Sequence, residues 1–320
     1  MPASFTRWLW ALALPLVLAT GCATAPLQHP NLAPASDGEA RQVELSATPF
    51  YSQTAYQCGP SALATLLQTS GVDRATPDTL AEQVYLPGRR GSLQTELIAA
   101  TRRAGRIPYR LEPRFEHLLD ELRAGHPVLV LQNLKLPRWP QWHYAVVVGF
   151  DLDEEQVILR SGTERRQALS FERFERTWQM GDYWALVVTP PGQTPATASA
   201  TRYLQAVVPM EQQQRWEAAI AGYRAAAQRW PDNPASHMGL GNIAFQTGRY
   251  TEAQGHFEQA VAIDPELPSA HYNLAWALLY QGERSQARQA AERARALAPE
   301  HPRFGRAVSA LEAEASERSR

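Results

Sequence analysis

Pro49-Phe50-Tyr51-Ser52-Gln53-Thr54-Ala55-Tyr56-Gln57-Cys58-Gly59-Pro60-Ser61-Ala62-Leu63 is the stretch that decides how this chain is read. Pro60 suits the first turn of a helix, where its missing N–H breaks no bond. Leu63, Leu66 and Leu67 then recur at helical spacing, so a helix is expected over 59–69 with Cys58 at its start. The unpaired N–H groups and the dipole of a helix start favour negative charge, which lowers a thiol pKa and yields thiolate. Gly59, lacking a Cβ, leaves room for a substrate backbone to approach. Such a nucleophile needs a general base. His143 is the candidate, because it opens the strand-like run His143-Tyr144-Ala145-Val146-Val147-Val148-Gly149-Phe150-Asp151.

The cysteine count sharpens the reading. The chain has 2 Cys, Cys22 and Cys58. Cys22 closes Leu18-Ala19-Thr20-Gly21-Cys22, after Arg7 and an apolar stretch from Trp8 to Leu18 that is too short to span a bilayer. Residues 1–22 read as an export signal, and its small residues before Cys22 resemble a bacterial lipobox, which implies lipidation of Cys22. Ala23, where Asp would signal retention, implies by the same resemblance an outer-membrane anchor facing the periplasm. Residues 23–46, rich in Ala and Pro, are expected to form a flexible tether. With Cys22 lipidated, Cys58 has no disulfide partner, and an unpaired thiol in an oxidising compartment points to a reactive residue. Two Cys exclude a thiolate-rich zinc site, so neither metal nor cofactor is expected.

Composition excludes other classes. The formal net charge is −1, which gives no electrostatic case for nucleic acid. Lys135 stands between Leu134 and Leu136 as the sole lysine, so no P-loop and no ATP site exist.

The 320 residues divide in two. Residues 47–190 mix helical and strand patterns. Helices are expected at Leu93–Ala104, Phe115–Arg123 and Phe171–Thr177, and strands at Val128–Gln132, Tyr144–Phe150, Gln156–Leu159 and Tyr183–Val188, an α+β order. Residues 191–202, opening on Pro191-Gly192, read as a linker. Residues 203–320 are all-α and repetitive. Pro231, Pro265 and Pro299 are spaced by 34, as are Ala219, Ala253 and Ala287, then Tyr223, Phe257 and Ala291, then Ala226, Ala260 and Ala294. This period resembles the tetratricopeptide repeat, which implies paired helices that hold a peptide or protein partner. Pro209 makes the first unit imperfect, and the final Ala/Glu/Arg stretch reads as a cap.

Gln53-x4-Cys58-Gly59-Pro60, followed by His143-Tyr144-x-Val146-Val147-x-Gly149-x-Asp151, is similar to the double-glycine, bacteriocin-leader-processing cysteine peptidases, a papain-like family. The resemblance covers 48–189. It implies a papain-like cysteine peptidase with Cys58 as nucleophile, His143 as general base and acid, and Gln53 as oxyanion donor beside the Cys58 N–H. Gln53 precedes Cys58 by five positions where the family uses six, and Gln57 is its rival. The family places an Asp after the next strand; Ser161 falls there. Asp151 is a substitute acid or, more simply, the start of a hairpin turn. Two functions follow: a lipid-anchored thiol peptidase served by its repeats, or a degenerate peptidase fold acting as a scaffold. A cell-wall amidase or transpeptidase would use the same thiol chemistry.

Trp139 and Trp142 flank His143 and either wall a cleft or pack a loop. Arg89-Arg90 reads as a solvated turn, His117 and His126 as structural, and His237, His256 and His271 as surface residues of the repeats.

Overall fold

Strand β4 (Trp142–Asp151) organises the N-terminal domain. In this computed structural model, which describes residues 26–52 and 57–304, β4 is the longest strand and takes partners on both edges. The elements in order are β1 (Gln42–Glu44), α1 (Cys58–Thr69), α2 (Pro77–Val84), α3 (Gln94–Arg103), β2 (Ile107–Arg110), α4 (Phe115–Arg123), β3 (Val128–Asn133), β4, β5 (Gln156–Ser161), β6 (Glu164–Ser170), α5 (Phe171–Gln179) and β7 (Ala185–Thr189). The sheet runs β2-β7-β3-β4-β5-β6, antiparallel throughout, and β1 continues the β3 edge of β4. The β1 pairing needs Gly149, since a Cβ there would collide with the Val43 carbonyl.

Side-chain alternation along β4 feeds two cores. Tyr144, Val146 and Val148 pack with Leu63, Leu66 and Leu67 of α1. Ala145, Val147 and Phe150 pack with Phe115, Phe174 and Trp178 of α4 and α5. Both faces of the sheet are thus covered, which explains the unbroken apolar run of β4.

The strands and helices expected from periodicity form close to their expected bounds. Four elements were not legible. Pro108 lies in β2, an edge strand, where proline is tolerated but masks the pattern. The Glu164–Ser170 edge strand carries exposed charges, β1 has three residues, and α2 has eight and depends on a Thr76–Thr79 capping box.

The expected tether is corrected over its described part. The N–H groups of Gln28 and His29 donate to the Glu175 carboxylate at 2.5 and 2.9 Å, and β1 pairs with β4. Glu175 is fully buried, and a buried carboxylate demands such donors. Cys22 lies outside the described residues.

The C-terminal part is three helix pairs: α6 (Ala200–Gln212) and α7 (Trp216–Arg229), α8 (Pro234–Gln246) and α9 (Tyr250–Ile263), α10 (Pro268–Tyr280) and α11 (Arg284–Leu297). All nine Ala and aromatic residues of the three 34-residue columns quoted above are buried, which is what close helix contact requires. Residues 305–320, which end the stretch read as a cap, lie outside the described residues. His271 is not a surface residue: it is buried, and its Nε2 bonds the Pro265 carbonyl at 2.9 Å.

The two parts share a core. Tyr203, Val207 and Met210 of α6 join Ile107, Tyr109 and Phe115. Glu121, fully buried on α4, accepts bonds from the Ala196 N–H (3.1 Å), the Thr197 N–H (2.7 Å) and the Thr197 hydroxyl (2.7 Å), and its other partner is His126 Nδ1 at 2.7 Å. Burial pushes this carboxyl up, but the hydrogen bonds together hold it below its ordinary value. The linker is therefore tied down as a carboxylate latch, and His126 is structural as expected.

Candidate active site

Cys58 is the first residue of α1, with Gln57 as its N-cap. Packing of α1 on one face of the sheet brings the thiol to the beginning of β4, where backbone N–H donors of Tyr144, Gly59 and Cys58 favour its charged form. Those donors lower the thiol pKa, as a helix start should. Burial is the larger effect, however, and pushes Cys58 above its ordinary value. The expected lowering of the thiol pKa is corrected accordingly: the balance of these effects favours the protonated thiol. Burial likewise pushes His143 down, so both shifts favour thiol and neutral imidazole over the ion pair.

His143 approaches from the other face. Val157 and Leu159 of β5 bury with Ala145 and Val147, so by alternation Ser161 and His143 stand on the same side. His143 Nε2 lies 3.0 Å from the Ser161 hydroxyl. Next to this contact the β4–β5 pairing is regular, with Val146 opposite Arg160 and Val147 opposite Leu159. In the tautomer whose Nε2–H donates to the Ser161 hydroxyl, the lone pair is on Nδ1, the nitrogen needed by a base.

A cleft of about 920 Å³ contains Cys58 and His143 together. Arg89 to Gln94 form one wall, Pro140 to Trp142 another, and Gly162, Gly181 and Asp182 line the rest. Trp142 is thus a cleft residue, whereas Trp139 is not. Arg89 and Arg90, read as a solvated turn, also border the cleft. Gln53 lies outside the described residues. Asp151 does start the hairpin turn: its Oδ1 accepts from the N–H groups of Asp153 (2.9 Å) and Glu154 (3.1 Å). Among the described residues no group of three or more His, Cys, Asp or Glu is placed to hold a metal.

The role assigned to Gly59 changes. A Cβ there would meet Ser92 Oγ at 2.5 Å and Ser92 Cβ at 2.7 Å, so Ser92, not substrate, occupies the space. The signal for Ser92 was faint, a Gly91-Ser92 turn before a helix. The Tyr144 hydroxyl fixes the turn by donating to the Ser92 carbonyl at 3.2 Å. Gly59→Ala is expected to cost about 1–3 kcal/mol through this overlap, read as a lower Tm, with slower alkylation of Cys58.

Fold and site together define an α+β domain whose cleft holds Cys58 and His143, joined to helical repeats, and comparison gives the similar families. Residues 45–184 match the Peptidase_C39 like family, while 211–268 and 244–311 match tetratricopeptide repeat families. The chain is a C39-like α+β peptidase domain followed by an all-helical tetratricopeptide repeat region. No curated protein matches it. Among solved structures, a Bacillus anthracis chain described as a C39-like peptidase is 21% identical, with 48% of this chain and 98% of that one covered and a TM-score of 0.39. The Yersinia enterocolitica type III secretion chaperone SycD, in complex with a peptide of the translocator YopD, is 20% identical, covering 37% and 96%, TM-score 0.34. The second repeat domain of human RPAP3, in complex with an HSP70 peptide, is 18% identical, covering 35% and 94%, TM-score 0.34.

Proposed function

We propose that the protein is an exported, lipid-anchored thiol peptidase whose repeats recruit a substrate or partner protein. The observation that carries this reading is the 3.0 Å contact between His143 Nε2 and Ser161 Oγ beside the cleft that holds Cys58. Cys58 Sγ attacks the scissile carbonyl carbon while its proton passes to His143 Nδ1. The Cys58 N–H, with Gln53 by resemblance, stabilises the oxyanion. Collapse breaks the C–N bond, and the leaving amine takes the proton from His143. Water, deprotonated by the same ring, then attacks the thioester carbonyl; the C–S bond breaks, the acid leaves, and Cys58 Sγ takes the proton back from His143. Ser161 orients the ring. Lipidation at Cys22 holds the enzyme at the outer membrane, facing the periplasm.

The peptide set released by cells carrying the wild-type chain, compared with Cys58→Ala, tests the reading. At least one fragment is expected to vanish in the variant; identical sets would sink it. The scaffold reading is favoured by one observation, a hydroxyl where a carboxylate would steady the imidazolium, and it gains if Cys58→Ala rescues every defect of a deletion.

The neutral resting pair has its own signature. Alkylation of Cys58 by iodoacetamide is expected to accelerate with pH through the ordinary thiol range of about 8.5 and beyond, because burial raises this thiol. A rate flat through neutrality would mean a ready-made thiolate–imidazolium pair instead.

A further inference from the structure

The loop joining β3 to β4, with the first residue of β4, presents four of the six large apolar side chains that are exposed among the described residues: Leu134 (45%), Leu136 (64%), Trp139 (69%) and Trp142 (52%). Single exposed apolar residues need no explanation; a cluster on one loop does. Lys135 and Arg138 sit among them, and residues 134–142 contain neither Asp nor Glu.

The loop is also built to hold its shape. The side-chain Oδ1 of Asn133, itself 2% exposed, accepts from the N–H groups of Lys135 (3.1 Å) and Gln141 (2.9 Å). The Leu134 N–H donates to the Gln141 carbonyl and the Trp139 N–H to the Leu136 carbonyl, both at 3.0 Å. Pro137 and Pro140 carry no N–H and fix φ. Backbone donors satisfied within the loop matter in hydrocarbon, where an unpaired N–H is costly. A preformed loop also avoids an ordering cost on binding.

We propose that this loop is a finger that docks the peptidase domain on an anionic lipid surface. Leu136 and Trp139 enter the headgroup–acyl boundary, where tryptophan is favoured, while Lys135 and Arg138 extend to lipid phosphates. The choice of a lipid surface over a peptide rests on the charge of the loop and on its most exposed residues, Leu136 and Trp139, lying outside the Cys58 cleft. The proposal uses no property of the thiol, so it stands or falls apart from the peptidase reading.

The test uses residues 23–320 without lipid, which include the whole described fold. The protein is sedimented with vesicles of phosphatidylethanolamine and phosphatidylglycerol, and with vesicles of phosphatidylcholine alone. Partitioning onto the anionic vesicles is expected to be roughly tenfold the stronger and to weaken with salt. Leu136→Ser/Trp139→Ser is expected to reduce it by about tenfold or more, with circular dichroism and Cys58 alkylation unchanged. Failure to bind anionic vesicles, or equal binding by the double variant, overturns the proposal. So does a double variant that binds vesicles normally but has a raised KM for peptides, which would make the loop a substrate contact.

Discussion

His143→Ala is expected to lower kcat/KM for peptide cleavage by about 10³- to 10⁴-fold, the upper part of the range for a general base. The reason lies in the resting protonation state. Burial pushes the Cys58 thiol up and His143 down, so at neutral pH the nucleophile still carries its proton when substrate arrives. Attack then requires a base in place, and the ring must later return that proton to the amine. Removing the ring removes both transfers. The deficit is expected to shrink as pH rises toward the elevated thiol pKa, since bulk base then generates the thiolate; acylation rates of wild type and variant across alkaline pH measure this. A deficit that stays constant with pH would show that His143 does not serve as the base. Cys58→Ala, which removes the covalent route itself, is expected to cost about 10⁴-fold or more at every pH.

The site was partly legible because its chemistry follows from local sequence. Pro60 and the Leu63/Leu66/Leu67 spacing place Cys58 at a helix start whatever packs around it, and α1 begins at Cys58. The apolar run after His143 reads as a buried strand for the same reason. What was lost depends on tertiary contact. The thiol pKa turned on burial, which no spacing records. The space beside Gly59 turned on Ser92, which a separate loop delivers. The fixed course of 28–46 turned on Glu175, a carboxylate nearly 150 residues away whose burial a charged helix sequence does not announce. The repeat was legible almost in full, because each helix pair repeats the same small-residue contacts every 34 residues.

Ser161→Asp is expected to raise kcat, by roughly 10-fold, since a charge-assisted bond is about twice as strong as a neutral one. A hydroxyl 3.0 Å from Nε2 can hold the ring but offers no charge to the imidazolium formed during attack. A carboxylate there would stabilise that cation in the transition state more than the neutral ring in the ground state, the condition for a gain in kcat. The opposing effect is desolvation, because residue 161 is 7% exposed. The sign of the pH effect is fixed independently. Activity needs His143 neutral before attack, so the acid limb of kcat/KM follows its pKa, held low in the wild type by burial. An adjacent carboxylate favours the protonated ring, so the limb should move to higher pH in Ser161→Asp. Ser161→Ala, losing only a neutral hydrogen bond of about 1 kcal/mol, should fall by about 5-fold and leave the limb nearly in place. If Ser161→Asp leaves the limb where it was and behaves like Ser161→Ala in rate, then residue 161 is not coupled to the ring, and the Ser161 contact does not orient the base.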